Sequence, residues 1–573
     1  TYFPYSAMAE AGAASRQLEV GCWVIPLGGG GVENLRKGTA FWELFDDHGI
    51  PHTIFRMPVN FPPVKSRGKA LSGMGTPDIQ GSLGEFSFYT DRDPAGYGKV
   101  SGGKIYPVRV ENHRVAAKLR GPENAFYRCD DSPRRSKSRS RYKHPDLTAD
   151  FEVFLDPEEA VALLRVQDEE FVLAEGEWSD WVPVRFDAIP YLATVSAVGR
   201  FYLKQVRPDF QLYVTPLQID PADPGGMTIS NPSGWSHELR EELGYFFTQG
   251  LAEDTKALVH GVLDGREFWQ QSQFVYQERR KALDHLLDDF EEGFLFFYFS
   301  SVDQGSHMLW HWMDPEHPLY EPDDFLKNGI RTLYEEIDEA LGRVMEVVGD
   351  DAAIIVMSDH GFAPFYWQVH LNSWLKENGY LKLKNASHRG KADVLRHTDW
   401  TRTKAYSLGV SALYVNLKGR ERDGAVDEKD YTALLDRLER DLLEMVDPRN
   451  GQHPVTLVTR PGRDFKGPEL DVGPDLIIGY GWGYRSSWTT PLGGIPEEIF
   501  ADNEELWSGD HSMDYRLVPG VLLSNRQITL EHPALYDLTV AILDEYGIEK
   551  PEQMIGQDCL GPARSASARS GGP

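Results

Sequence analysis

Two uninterrupted apolar runs of strand length, Gly293–Ser300 (GFLFFYFS) and Ala352–Met357 (AAIIVM), do most to restrict what this chain can become. Neither alternates polar with apolar residues, so each reads as a strand covered on both faces. Between them, Phe325–Val348 places Ile330, Leu333, Tyr334, Ile337, Leu341, Val344 and Val348 at helical spacing, the pattern of an amphipathic helix. Strand, helix, strand in that order predicts a parallel βαβ unit. In such a unit, polar residues at the carboxyl ends of the strands face a common crevice.

The rest of the chain sorts around that block. At 573 residues two or three folding units are expected. Residues 1–82 read as α/β: a short apolar run at Val20–Ile25, a Gly28–Gly31 loop, a helix over Thr39–His48 and a strand over Thr53–Met57 that Pro58 stops. From 83 to 229 the texture is short alternating segments (Lys104–Val110, Phe151–Leu155, Ala160–Gln167, Trp181–Phe186, Tyr191–Val198, Phe210–Val214), which predicts an inserted antiparallel β unit. Residues 230–560 return to helix–strand alternation, with helices at Glu238–Thr248, Arg279–Phe290 and Pro533–Asp544 and strands at Asp475–Gly479 and Val518–Leu523. The small, polar residues 561–573 read as a disordered tail.

Charge and cysteine content exclude several classes. The formal net charge is −29, which argues against binding along a nucleic-acid track, although bound divalent cations would invert the field locally. The basic run Arg134–Lys143 (RRSKSRSRYK) has no interleaved aromatic except Tyr142 and reads as a solvated loop. Cys22, Cys129 and Cys559 form no C-x-x-C pair, so neither a zinc ribbon nor a redox motif is supported. No apolar run reaches the ~18–20 residues needed to span a bilayer. The chain opens on Thr1, so a targeting signal is not observable and the compartment stays open.

Three segments carry chemistry. In FYFSSVDQGSHMLWHW (297–312), Asp303 and His307 stand four residues apart after a strand end, so a carboxylate and an imidazole share one helix face. Taken alone, the pair is equally a helix cap and a packing residue; His311, a further turn on, is expected to lie outside the first set of ligands or on the surface. In IIVMSDHGFAPF (354–365), Asp359 and His360 follow the second apolar run, and Gly361 permits a tight turn that aims both at a crevice. In SGDHSMDYRLVPGVLLS (508–524), His511 precedes a short apolar stretch. Two aspartates and three histidines, each near a strand end, suit two divalent ions of the kind that clamp both oxygens in phosphoryl transfer.

The order D-x-x-x-H, S-D-H-G-F, G-D-H-S resembles the alkaline phosphatase superfamily, in its type I phosphodiesterase/nucleotide pyrophosphatase branch. The stretches RKGTAFWELFDDHGIP (36–51), SGMGTPD (72–78), GEWSDW (176–181), EDTKAL (253–258) and GPDLIIGY (473–480) extend the likeness over most of the chain. The resemblance implies an α/β sandwich with a mostly parallel central sheet flanked by helices, plus the β-rich insertion. It implies that Asp303, His307 and His511 hold one ion and that Asp359 and His360 help hold the other, with zinc the expected metal and manganese the alternative. The implied activity is hydrolysis of a small phosphoester, monoester or diester, by a Thr or Ser nucleophile.

No strand ending in Asp and followed by such a nucleophile is found in residues 1–35. Thr39 reads as a turn or cap, and Ser72 and Thr76 have no better support, so the expectation is a chain that starts beyond its nucleophile. Arg56 and Asn60 are expected in ordinary loop roles. Other readings are a non-catalytic metal-binding chain or a relative of phosphoglycerate-mutase or sulfatase type. None of the cysteines stands in a C-x-P-x-R context, which disfavours a sulfatase.

Overall fold

The computed structural model describes residues 6–8, 17–20, 22–26, 32–124, 126–127, 145–189, 191–385, 394–466 and 470–562. The Gly28–Gly31 loop, the basic run 134–143 and all but two residues of the 561–573 tail lie outside the described residues. The fold is mixed α/β.

The sheet that carries the site runs Ser230–Asn231, Lys69–Leu71, His52–Phe55, Phe294–Phe297, and its last three strands are mutually parallel. Its strands are short and aromatic: Phe55 stacks on Phe297 at 4.6 Å between centroids. One face is covered by the Gly265–Asp288 helix. Its start is fixed by a capping box in which Asp264 accepts from the Glu267 backbone while Glu267 accepts from the Asp264 backbone. That helix was legible only as Arg279–Phe290; its first half is aromatic and amidic rather than cleanly periodic. The Gly329–Val348 helix packs Val344, Val347 and Val348 beside Leu295 and Phe297.

The second apolar run forms Ile355–Met357, but its partner is Leu522–Ser524, antiparallel, and not Phe294–Phe297. The expected βαβ crossover therefore does not close into paired neighbours among the described residues. Each of the two strands keeps one edge without a strand partner there, and both are only half-buried, with Met357 39% exposed. The Leu535–Glu545 helix spans beneath both. Leu543 joins the cluster with Phe294 and Phe296, while Leu538 and Ala541 join the one with Ile355 and Leu522.

The β-rich unit is present as three sheets. Arg114–Glu123, Asp146–Leu155, Val161–Val166 and Glu169–Ala174 form one antiparallel sheet. Along Asp146–Leu155, Leu147, Ala149, Phe151, Val153 and Leu155 turn inward at a period of two. They close one large core with Val184 and Phe186 of Val182–Ile189 and with Phe201, Leu212 and Val214 of the neighbouring five-stranded sheet. Residues 405–480 hold a further four-stranded antiparallel sheet, packed by the Glu428–Leu443 helix through Leu434, Leu435, Leu438 and Leu442.

Other boundaries moved for local reasons. Val20–Ile25 is split by a turn at Cys22 into Gln17–Val20 and Trp23–Pro26. The helix expected over Thr39–His48 spans only Glu43–His48, and Glu238–Thr248 is Trp235–Leu243, ended by Gly244 at φ 80°. Cys22 is disulfide-bonded, while Cys559 is a buried free thiol. No helix among the described residues is long and apolar enough to cross a membrane.

Candidate metal centre

The Ser301–Met313 helix begins directly after the Phe294–Phe297 strand, so Asp303 falls in its first turn, where the helix dipole favours a carboxylate. The helix start is pinned from behind. Glu253 accepts from the hydroxyls of Ser300 and Ser301, and the Arg279 guanidinium donates to Ser300. One turn on, His307 is 2% exposed and sets its Nε2 3.6 Å from Asp303 Oδ1. Its Nδ1 lies 2.8 Å from the Gly509 carbonyl, so Nδ1 carries the proton and the Nε2 lone pair faces Asp303.

His360 arrives from the other strand end. Gly361 makes the turn possible: a Cβ there would stand 2.6 Å from the Pro519 carbonyl oxygen. His360 Nε2 lies 3.9 Å from Asp303 Oδ1 and 3.6 Å from Asp359 Oδ1. His511 follows the two-residue strand Gly509–Asp510, which pairs with Ala363–Pro364, and sets its Nε2 3.8 Å from Asp303 Oδ1. The His360 and His511 rings stack at 3.5 Å.

The five side chains singled out from sequence thus lie together, with Asp303 at the hub. Their spacing does not by itself divide the five between two ions. The donor atoms of Asp303, His360 and His511 all fall within 4.8 Å of one another. Asp303 faces all three imidazoles, whereas the exposed Asp359 pairs with His360. His311 is buried rather than on the surface, with its Nδ1 3.1 Å from the Ser508 hydroxyl.

Electrostatics argue that this cluster is built for a cation. Asp303 Oδ1 is sealed from solvent and has no hydrogen-bond donor among the described residues; Oδ2 accepts from Gln304 at 2.7 Å. An unpaired buried carboxylate oxygen ringed by imidazole lone pairs is costly unless a positive charge is supplied. Burial pushes the Asp303 carboxyl up to about 6, and the Gln304 hydrogen bond only partly offsets it. Burial likewise pushes His307 down to about 3 and His511, which also faces His360, down to about 4. The His307 and His511 imidazoles are therefore neutral at neutral pH, the form that binds metals. One oxygen and three nitrogens form a donor set suited to zinc, whose tetrahedral ligands stand about 3.3 Å apart. The 3.6–3.9 Å separations of Asp303 Oδ1 from the three imidazole nitrogens exceed that spacing by only a few tenths of an ångström, while His307 falls outside the group whose donor atoms all lie within 4.8 Å of one another.

Residues 229–487 match the family described as "Type I phosphodiesterase / nucleotide pyrophosphatase", a little under half of the chain. Over that span the chain is type I phosphodiesterase-like. The matched span includes Asp303, His307, Asp359 and His360 and ends before His511. Among solved structures, murine ectonucleotide pyrophosphatase/phosphodiesterase 5 is 15% identical, covering 50% of this chain and 64% of its own, with a TM-score of 0.28. The human counterpart is 15% identical over the same shares, with a TM-score of 0.27. An inactive murine form in complex with AMP is 15% identical, covering 48% of this chain and 68% of its own, with a TM-score of 0.23. The chain therefore spans less than two thirds of the length of the first two. No curated protein matches it.

Inside and outside that span, several supporting residues were not legible from sequence. Arg485 is buried and ion-paired to Asp510, 2.7 Å from Nε to Oδ2. Nothing in its neighbourhood GWGYRSSW marks it. Trp507 stacks on His307 at 3.7 Å. Arg56, read as an ordinary loop residue, is 3% exposed at φ 63° and donates to the carbonyls of Phe247 and Gln249. Asn60 is fully buried, and its side-chain oxygen accepts from the Val64 backbone. Ser72 and Thr76 are each 1% exposed, and the Thr76 hydroxyl donates to Gly73, which fits structural roles.

Proposed function

We propose that this chain is the metal-binding body of a hydrolase acting on small phosphoesters, a phosphodiesterase or phosphatase that uses two divalent ions, zinc foremost and manganese second. The observation that carries the reading is Asp303 Oδ1, buried, without a donor and faced by the Nε2 atoms of His307, His360 and His511. The family match over 229–487 agrees with it. Asp303, His307 and His511 would hold one ion, and Asp359 with His360 would contribute to the second, Asp303 Oδ1 facing His307 and His511 at 3.6 and 3.8 Å and Asp359 Oδ1 facing His360 at 3.6 Å.

Bound there, the ions would supply Lewis acidity toward a phosphoryl oxygen and a lowered pKa for an attacking hydroxyl. The chain's own part is orientation. Gly509 fixes the His307 tautomer, and the serine–glutamate–arginine cluster at 253, 279, 300 and 301 fixes the helix that presents Asp303. The Thr or Ser nucleophile is proposed to come from a segment upstream of Thr1. Support comes from the strand edges of Phe294–Phe297 and Ile355–Met357 that lack a strand partner among the described residues. An extended segment beside them would end among Asp303, Asp359 and His360.

The test has two arms. Metal content after mild purification is expected to be at least one divalent ion per chain, and a metal-free chain that does not rebind zinc or manganese overturns the reading. A panel of aryl phosphate mono- and diesters is then assayed with this chain and with a longer chain carrying upstream residues. Turnover confined to the longer chain supports an external nucleophile. Full turnover by residues 1–573 alone overturns that part of the proposal.

A further inference from the structure

Asp510 contributes no free lone pair to the metal centre, yet it touches the supports of two of its histidines. It is 1% exposed. Its Oδ1 accepts from the backbone N–H groups of His511 at 2.8 Å and Ser512 at 2.7 Å, which fixes the turn that presents the His511 ring. Its Oδ2 accepts from the Trp507 indole N–H at 2.7 Å, and that indole stacks on His307 at 3.7 Å with 29° between planes. Arg485 Nε stands 2.7 Å from Oδ2 as an ion pair without hydrogen-bond alignment, and its guanidinium lies 4.5 Å from the Trp488 ring centre and 5.1 Å from that of Phe365. The residue before Asp510 closes the loop, since Gly509 carries the carbonyl that receives the His307 Nδ1 proton.

We infer that Asp510, neutralised by Arg485, is a positioning residue. One carboxylate couples the His511 backbone to the His307 ring through Trp507, and so sets the separation of two imidazoles that face Asp303. The inference rests on the metal-centre reading and deepens it. Asp510 is not itself a donor, because both of its oxygens are consumed by N–H groups. Its role is to hold the donor set near its bound spacing before the ion arrives, which raises affinity by cutting the cost of reorganisation. A buried ion pair adds little net stability on average, so a device that only braced the fold would be better built from apolar side chains. Arg420–Asp475 supplies the comparison within the same chain. It is a second arginine–aspartate pair, 2.6 Å from Nη2 to Oδ2, in which Arg420 is exposed but Asp475 is 7% exposed and further bonded to Tyr431 and the Val415 backbone, and it has no bond to a metal-centre histidine among the described residues.

The experiment titrates metal-free chain with cobalt(II), reading affinity by calorimetry and coordination by the visible d–d absorption, in wild type, Asp510→Asn, Trp507→Phe and Asp475→Asn. Asp510→Asn is expected to weaken cobalt binding about 10–100-fold and to shift the absorption band. Trp507→Phe keeps a ring over His307 but loses the N–H, and is expected to weaken binding several-fold with a band shift in the same direction. Asp475→Asn is expected to lower the melting temperature while leaving affinity within about twofold of wild type and the band in place. Wild-type affinity and spectrum in Asp510→Asn would overturn the inference, as would losses in Asp510→Asn and Asp475→Asn that merely track lost stability. If Asp510→Asn does not fold, Trp507→Phe decides: an unchanged spectrum and affinity overturn the coupling. A wild-type chain that binds no cobalt overturns the metal-centre reading first, and this inference with it.

Discussion

Asp303 Oδ1 and His360 Nε2 stand 3.9 Å apart, although one is delivered by a helix that follows Phe294–Phe297 and the other by a bend that follows Ile355–Met357. The two strands do not pair with each other among the described residues. Their carboxyl ends nevertheless converge, so the site is held by the helices and loops around the strands. The Leu535–Glu545 helix beneath both strands and the Gly509–Asp510 segment between the Ser301–Met313 helix and the 363–369 strand do that holding.

Replacing the hub carboxylate separates binding from stability. Asp303→Asn removes the anionic donor that faces all three imidazoles and should weaken zinc binding at least tenfold. It also removes a buried carboxylate oxygen that has no donor, so the metal-free variant should melt no lower than metal-free wild type, and higher above pH 6. Burial raises the Asp303 carboxyl to about 6. The folded state therefore favours the protonated form, and wild type alone loses stability as pH rises from about 4 to about 6. Calorimetric melting of both metal-free chains across that range checks it. A variant that melts lower at every pH would mean that Asp303 braces the apoprotein.

How much of this was readable in advance can be argued residue by residue. Asp303, His307, Asp359, His360 and His511 were legible because each follows or precedes an apolar run, and a short polar motif at a strand end is a local signal. How closely the donors approach one another was not, since the distances from Asp303 to His360 and His511 depend on packing between segments remote in sequence. Arg485 and Trp507 were invisible for the same reason: their partners, Asp510 and His307, come from other strands or helices. The β-rich texture of 83–229 was clear from alternation, but Arg114–Glu123 escaped notice because its outward face carries Arg114, Lys118 and Arg120 around a central Ala116–Ala117 pair. The Gly265–Asp288 helix was half-seen because its buried face includes Gln271 and Ser272, polar residues that tertiary bonds satisfy or enclose.

A second pH effect involves a carboxylate outside the donor set. Asp254 accepts from the Tyr213 hydroxyl and caps the Thr255–Val259 helix, and burial raises its carboxyl to about 6 despite those bonds. The protonated form is again the one the fold prefers. The penalty of ionisation is absent below about pH 4 and complete above about pH 6, and it is on the order of 3 kcal/mol. Asp254→Asn cannot ionise, so the stability difference between wild type and variant should change by that order across the window and stay flat above it. Urea midpoints at pH 4, 5, 6 and 7 measure the change, and a constant difference would show that Asp254 ionises freely in the fold.

The β-rich core should fail on its own terms. Phe151 is 2% exposed and meets Tyr89 and Phe201 edge-on, with centroids 5.0 and 6.0 Å away. Phe151→Ala should cost about 3–5 kcal/mol. If residues 83–229 form a separate unit, as proposed from the sequence, urea should unfold that unit first, while zinc affinity measured below the first transition stays at the wild-type value. A single shifted transition with metal binding lost in parallel would show that the insertion and the metal-bearing part unfold as one.

Gly509 offers the sharpest steric test of how the site is assembled. A Cβ at that position would stand 2.4 Å from the Ser306 carbonyl oxygen and 2.9 Å from Trp310 Cε3, both on the helix that carries Asp303 and His307. Neither neighbour is the free end of a flexible side chain, so Gly509→Ala must push the His511 segment away from that helix. The His307 Nδ1 bond to the Gly509 carbonyl is stretched by the same movement. Overpacking of this kind costs about 1–3 kcal/mol, and the displaced imidazole should lower zinc affinity at least tenfold. Gly342 is the matched control, because a Cβ there meets nothing within 4 Å and the residue sits inside the Gly329–Val348 helix. Gly342→Ala should stabilise the chain by about 0.5–1 kcal/mol and leave zinc affinity alone. Calorimetry on both variants reads the two quantities together, and a Gly509→Ala chain with wild-type affinity would show that His511 is positioned independently of the Ser301–Met313 helix.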